Sequence, residues 1–170
     1  MKEQGLPLFP VVLKLSKVDF ILTDIVEEID QLLGNMNVPR GYLSIEIEEE
    51  AFSGDSEYVI GDAVNRLRRL GFRVWMEDFG SGYSSLYNLG RYTLDVLKVD
   101  ESFVSGLKKG SQQEAVLSSI IRMAEVLHLQ TVIQGVDTEE TCGILKNIGF
   151  DMEQGSCFGQ PVPIEKLILN

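Results

Sequence analysis

Short apolar runs alternate with helical stretches along the whole chain, and that alternation leaves few folds open. Val11 to Leu15 reads as a first strand. Thr23-Asp24 opens a helix running to about Leu33, with apolar residues at Ile25, Val26, Ile29, Leu32 and Leu33. Tyr42 to Ile47 reads as the second strand, and a helix from about Ser56 to Leu70 follows, with Gly71 as its C-cap. Phe72 to Met76 is the third strand. After a Gly- and Ser-rich loop come a short helix around Leu86 to Arg91 and a fourth strand at Asp95 to Val99. A long helix over about Gln112 to Leu127 leads to a fifth strand, Gln130 to Ile133. Thr138 opens another helix, closed by Gly149; Phe150 to Met152 begins a sixth strand, and a last helix starts near Pro163. Strands separated by helices imply βαβ units and a parallel sheet.

About six such units suit either a doubly wound sheet or part of a (β/α)8 barrel. A full barrel takes about 250 residues, and this chain has 170. No Gly-x-Gly-x-x-Gly follows the first strand, so a dinucleotide-binding reading has no support. With no internal repeat, low-complexity stretch or linker, residues 1–170 read as a single domain.

The net charge is −11, and no basic face suited to nucleic acid is visible. No apolar run approaches the roughly 20 residues that span a bilayer, and the N-terminus has no apolar signal region. Cys142 and Cys157 have no metal-ligand spacing and read as free thiols, which suits a reducing, cytoplasmic compartment. Trp75 reads as core, His128 as a helix-end residue, and Met36 and Met123 as gap fillers.

Polar residues recur at the C-terminal ends of the strands: Lys14 and Ser16, Glu46 and Glu48, Glu77 and Asp78, Lys98 and Asp100, Gln134 and Asp137, and Gln154. In α/β barrels that rim carries the active site. Carboxylates gathered there suit Mg2+ or Mn2+, hard cations that prefer oxygen. Taken singly, Glu48, Asp100 and Asp137 are better read as helix caps or solvated groups. The segment Glu77-Asp78-Phe79-Gly80-Ser81-Gly82-Tyr83 resists that explanation. Adjacent carboxylates repel unless a cation neutralises them, and the glycines give the loop freedom to wrap a ligand.

These residues resemble the EAL domain family, the class I cyclic-di-GMP phosphodiesterases of bacteria. Residues Glu77 to Leu86 are similar to the family's D-D-F-G-x-G-Y-S-S-L loop, Lys98-Val99-Asp100 to its K-I-D, and Gln134-Gly135-Val136-Asp137-Thr138 to its E-G-V-E-T. Gln154-Gly155 and Pro161 match its Q-G and following proline, Ile45 to Glu49 its L-E-I-T-E, and Leu13 to Ser16 its V-N-x-S strand. The resemblance implies an EAL-type, TIM-like (β/α) barrel, here incomplete and lacking the first two strands. It implies two Mg2+ or Mn2+ ions and hydrolysis of cyclic di-GMP. By position, Glu46, Glu77 and Asp78 would be metal ligands, and Glu49 would steady the Gly-rich loop. Lys98 would orient water or phosphate, Gln134 would stand at a catalytic glutamate and Gln154 would support the site. Asp78, Gly80, Ser81, Gly82, Tyr83, Asp100 and Asp137 would face the ligand.

The departures from the family pattern fall on the chemistry. The segment with the E-A-L signature, which normally precedes Val11, is not in this sequence. Lys14 occupies the asparagine ligand position, where an ammonium would repel a divalent ion and substitute for it, pairing with Glu46 and Glu77. Gln134 replaces a glutamate, and an amide is no general base. Glu77 replaces an aspartate, and Asp137 shortens the second glutamate of its motif. Errors of about 1 Å in placing such groups cost roughly a hundredfold in rate. The expectation is a degenerate EAL domain, inactive as this chain and acting as a regulatory or binding module. The alternative is a C-terminal fragment of an active phosphodiesterase, completed by a longer gene with a GGDEF or sensory domain upstream. Open sheet edges further suggest a homodimer or a protein partner.

Overall fold

A computed structural model describes residues 9–82 and 85–163 of the chain. Tyr83, and the last helix expected from Pro163 onward, lie outside the described residues. Six parallel strands form one sheet in consecutive order: β1 (Val11–Leu15), β2 (Leu43–Glu48), β3 (Arg73–Phe79), β4 (Val96–Val99), β5 (Gln130–Ile133) and β6 (Met152–Glu153). The helices are α1 (Lys17–Leu22), α2 (Ile25–Asn35), α3 (Glu57–Leu70), α4 (Ser85–Arg91), α5 (Gln112–Val126) and α6 (Glu139–Ile148). The result is a half-barrel, an incomplete TIM-like fold whose described strands number two fewer than a closed (β/α)8 barrel has. Among the described residues no helix is long and apolar enough to cross a membrane.

The alternation of side chains along each strand sorts the sheet into two faces. Ile45, Ile47, Val74, Met76, Leu97 and Val99 are fully buried and belong to the continuous apolar core. Leu67 of α3, Leu117 of α5 and Leu145 of α6 close over them. The intervening positions, Ser44, Glu46, Trp75, Glu77 and Lys98, are polar or amphipathic and share the concave face. Helix ends follow ordinary capping chemistry. Asp24 accepts from the Glu27 N–H at the start of α2, and Gly71 closes α3 in the left-handed region.

Several local details differ from the sequence reading. Helix α1 was not anticipated; its signal is Ser16-x-x-Asp19, where the Asp19 carboxylate accepts from both the Ser16 N–H and its hydroxyl at 2.7 Å. Strand β3 runs on to Phe79 because a register shift between Met76 and Phe79 extends its pairing with β4. Strand β6 pairs only through Met152 and Glu153. Met123 packs half-buried against the core, but Met36 fills no gap: it caps α2 and is exposed, whereas Trp75 is half-buried and His128 sits exposed at a helix end. Cys142 and Cys157 are free thiols.

Among the described residues strand β1 is an edge of the sheet. Val11, Val12 and Leu13 are exposed, and so is the preceding Phe9. Parallel sheets normally have both faces covered, so this edge departs from the rest of the sheet.

Candidate functional site

The polar cluster on the concave face is built by register. Lys14 of β1 lies opposite Glu46 of β2, and Glu48 of β2 lies opposite Glu77 of β3. A regular strand would send the neighbours Glu77 and Asp78 to opposite faces. Between Met76 and Phe79, however, two residues of β3 face a single step of β4, and Asp78 adopts a left-handed φ of 57°. This is the geometry of a β-bulge, a device that re-aims side chains beside functional sites. It brings the Glu77 and Asp78 carboxylates to the same rim, where their oxygens and one of Glu48 lie within 4.8 Å of one another.

Two lysines thread these carboxylates. The Lys98 ammonium, itself buried, lies 2.9 Å from Glu46 Oε1 and 3.1 Å from Glu77 Oε1. Lys14 Nζ lies 2.6 Å from Glu77 Oε2 and 2.9 Å from Glu48 Oε1. Lys14 thus pairs with Glu77 and Glu48, not with Glu46 as the sequence suggested. Glu46 is claimed by Lys98, and the diagonal reach to Glu48 is free because that residue sits one step nearer the rim. Burial raises the Glu46 carboxyl above its ordinary range, and Lys98 only partly offsets this. At Glu77 burial pushes the same way, but the bonds from Lys14 and Lys98 outweigh it and hold the carboxyl below the ordinary range. For Lys98 itself burial works against the charge, and its two glutamates still hold the ammonium above its usual value. Lys14 is likewise raised, chiefly by Glu77 and then by Glu48.

Gln134, at the end of β5, donates from Nε2 to Asp78 Oδ1 at 2.8 Å. Glu49 is buried beneath the Gly-rich loop and accepts from the Gly80 N–H at 2.9 Å. Gly80 has φ 90°, and a Cβ there would fall 2.4 Å from the Phe103 ring, so both the conformation and the packing demand glycine. Ser81 and Gly82 continue the loop, exposed to solvent.

Other anticipated residues stand apart from this cluster. Asp100 accepts from the Ser102 N–H and caps the turn after β4. Asp137 accepts from the Ser156 hydroxyl at 2.6 Å and its N–H at 3.1 Å, bonds that hold its carboxyl below the usual range. The Gln154 side chain is exposed, while its backbone N–H and carbonyl tie β6 to Ile133 and Val136. Gly155 follows because a Cβ there would meet the Val136 carbonyl oxygen at 2.2 Å. The residue whose part the sequence reading missed is Glu48. Its only signal was a charged side chain at the strand end, two positions beyond Glu46.

Comparison with known proteins gives this arrangement its family. The EAL domain model matches residues 1–161, and the chain belongs to the EAL domain family. The chain is 34% identical over 143 residues to the cyclic di-GMP phosphodiesterase NbdA of Pseudomonas aeruginosa, which covers 84% of this chain and 18% of that protein. Among solved structures it superposes on the MucR phosphodiesterase of the same bacterium in complex with c-di-GMP. That match has a TM-score of 0.85 and 29% identity, covering 93% of this chain and 70% of the other. The EAL domain of Mycobacterium smegmatis DcpA matches with a TM-score of 0.88 and 27% identity, over 98% and 76% of the two chains. The chain spans about a fifth of the length of the curated relatives it matches.

EAL domains use divalent metal ions, so the donors present here can be weighed against that need. Hard cations want free carboxylate oxygens. Here Glu46 is held by Lys98, Glu77 by both lysines, Glu48 by Lys14, and Asp78 receives an amide N–H. An ammonium and an amide donor stand where a cation would need acceptors. The residues do not fit a pair of divalent ions.

Proposed function

We propose that this chain is a non-hydrolysing EAL domain that serves cyclic-di-GMP signalling as a regulatory or binding module. The observation that carries the reading is the Lys14 ammonium, 2.6 Å from Glu77 and 2.9 Å from Glu48. It stands at the position where the family's strand motif has asparagine. Gln134 supports the same reading, since an amide that donates to Asp78 takes no proton from water. Mg2+ or Mn2+ therefore has no catalytic part in this reading.

Cyclic di-GMP is the ligand to try first, because the MucR structure contains it. The loop of Asp78, Gly80, Ser81, Gly82 and Tyr83 would then face the nucleotide, with Asp100 and Asp137 at its margin. Glu49 would hold the loop from beneath. A second reading is favoured by the exposed apolar edge at β1. In it, further strands of a longer protein cover that edge and complete a phosphodiesterase. The edge equally suits a homodimer or another protein partner, and the cytoplasm is the compartment in which such a module would work.

Two measurements on the purified chain test the proposal. A hydrolysis assay with Mn2+ present should show no turnover of cyclic di-GMP, and measurable turnover overturns the reading. Calorimetric titration with the same nucleotide then sorts the module's role. Saturable binding makes it a receptor, with Asp78 and Lys98 the next residues to change, and no binding directs the search to protein partners.

A further inference from the structure

We infer that Lys14 and Glu48 act together as a built-in replacement for a divalent ion, and that removing the lysine uncovers a metal site on Glu48, Glu77 and Asp78. This rests on the reading of the chain as a non-hydrolysing EAL domain and gives that reading its physical basis.

The two residues whose departure from the family's first two strand motifs adds a charge touch each other. Lys14 stands for the asparagine of V-N-x-S, and Glu48 for the threonine of L-E-I-T-E. They come from adjacent strands and meet at 2.9 Å. Without Glu48 the lysine would retain one carboxylate, Glu77. With it the ammonium is bracketed from two strands, and its charge is held over the rim rather than turned to solvent. The lysine side chain is 48% exposed and that of Glu48 37%, whereas Glu77 is only 8% exposed. The ion-pair chain thus runs from the surface inward through Glu77 to Lys98 and Glu46.

Charge accounts for the rest. Around the rim, Lys14 and Lys98 oppose Glu46, Glu48, Glu77 and Asp78. Glu48, Glu77 and Asp78 place oxygens within 4.8 Å of one another, where like charges repel and a nearby cation offsets the repulsion. Lys14 supplies that cation covalently. Because it is tethered, no chelator removes it and no metal concentration controls it. Deleting it releases Glu48 Oε1 and Glu77 Oε2 on the solvent side, while Lys98 stays on the other Glu77 oxygen and Gln134 on Asp78 Oδ1. That is the setting in which a hard cation binds.

The test is Mn2+ binding to the whole purified chain, read by electron paramagnetic resonance of free Mn2+ and by calorimetry, with no nucleotide present. The wild-type chain should show no saturable binding below millimolar Mn2+. Lys14→Asn should bind about a hundredfold tighter than wild type, the scale of removing one neighbouring positive charge. Adding Glu48→Gln should return the affinity to that of wild type, and Lys14→Arg, which keeps the charge, should not bind. Lys14→Gln serves as a second uncharged variant if Lys14→Asn fails to fold by circular dichroism. Wild-type binding as tight as that of the uncharged variants overturns the inference, as does a folded Lys14→Asn or Lys14→Gln that binds no better than wild type. Mn2+ binding by a wild-type chain that still fails to hydrolyse cyclic di-GMP would refute this inference alone. Turnover by the wild type would refute the proposed function as well.

Discussion

Replacing Lys98 with methionine removes the ammonium that pairs with Glu46, its ion-pair partner among the described residues. Lys98 and both its glutamates are buried. Methionine keeps most of the stem's volume, so the substitution deletes charge more than packing. Glu77 retains Lys14 at 2.6 Å, and Glu46 is left alone. Breaking a buried pair by removing one partner costs about 3–5 kcal/mol, because the other charge stays behind uncompensated. In a chain of this size each kcal/mol lowers the melting temperature by about 2–4 °C. A fall of about 12 °C is therefore expected for Lys98→Met in a circular-dichroism melt at neutral pH. The loss belongs to the stranded carboxylate and not to the missing bond. Glu46→Gln added to Lys98→Met should thus recover most of it, and Glu77→Gln should not. Acid should help for the same reason. Glu46 already titrates above the ordinary range. Without Lys98 its folded-state value rises further, so its penalty is present at neutral pH and fades as pH falls through that value. A Lys98→Met protein that melts within about 2 °C of wild type would refute the reasoning, as would a double variant no more stable than the single one.

Other perturbations read other parts of the structure. Gly80→Ala should destabilise the chain by about 1–3 kcal/mol in urea titration, through the strained φ and the Phe103 ring; adding Phe103→Ala should relieve only the steric part. Glu77, whose carboxyl is held below the ordinary range, contributes stability that is present above its unfolded-state value and is lost as pH falls through the depressed one. The gap between wild type and Glu77→Gln should accordingly be widest at neutral pH and close in strong acid, when unfolding is followed across that window. Lys14→Asn combined with Gln134→Glu should still give no hydrolysis of cyclic di-GMP in a product assay with Mn2+, unless the segment that precedes β1 in the family is also supplied. Light scattering should report a dimer at micromolar concentration through the β1 edge, and a charged replacement of Val12 should shift it toward monomer.

What could be read from the sequence followed the physics of each feature. Buried parallel strands are rich in aliphatic and β-branched residues, which is why Val96, Leu97 and Val99, and Val132 with Ile133, marked their strands in spite of the polar residues between them. Local caps such as Asp24 and Gly71 marked helix ends by chemistry confined to a few residues. The short helix α1 escaped because its capping aspartate sits where the motif usually has glutamate or glutamine. Motif order placed Glu46, Glu77, Asp78, Lys98 and Gln134 on one rim, and these residues do meet there. One partner of Lys14, Glu77, was legible; the other was not, because Glu48 reaches it diagonally across a parallel pair whose register no local pattern specifies. The bulge at Asp78 was equally hidden: it depends on how β3 aligns with β4, not on the residues of β3 alone. Asp100 and Asp137 sit in the family's motifs, and each also accepts a hydrogen bond that accounts for its position: Asp100 locally from Ser102, Asp137 from Ser156 in the segment after β6.

The consecutive strand order has a consequence for how the chain comes to be folded. Every strand pairs with the next one along the chain, roughly 20 to 34 residues away. Among the described strands no pairing waits for a distant segment. Loop-closure costs grow slowly with length, and contacts between near neighbours form early. As a nascent chain leaves the ribosome, each βα unit can therefore dock on the one before it and present a fresh edge to the next. Growth of this kind has no built-in end point short of ring closure. Among the described residues the exposed strand β1 is such an edge.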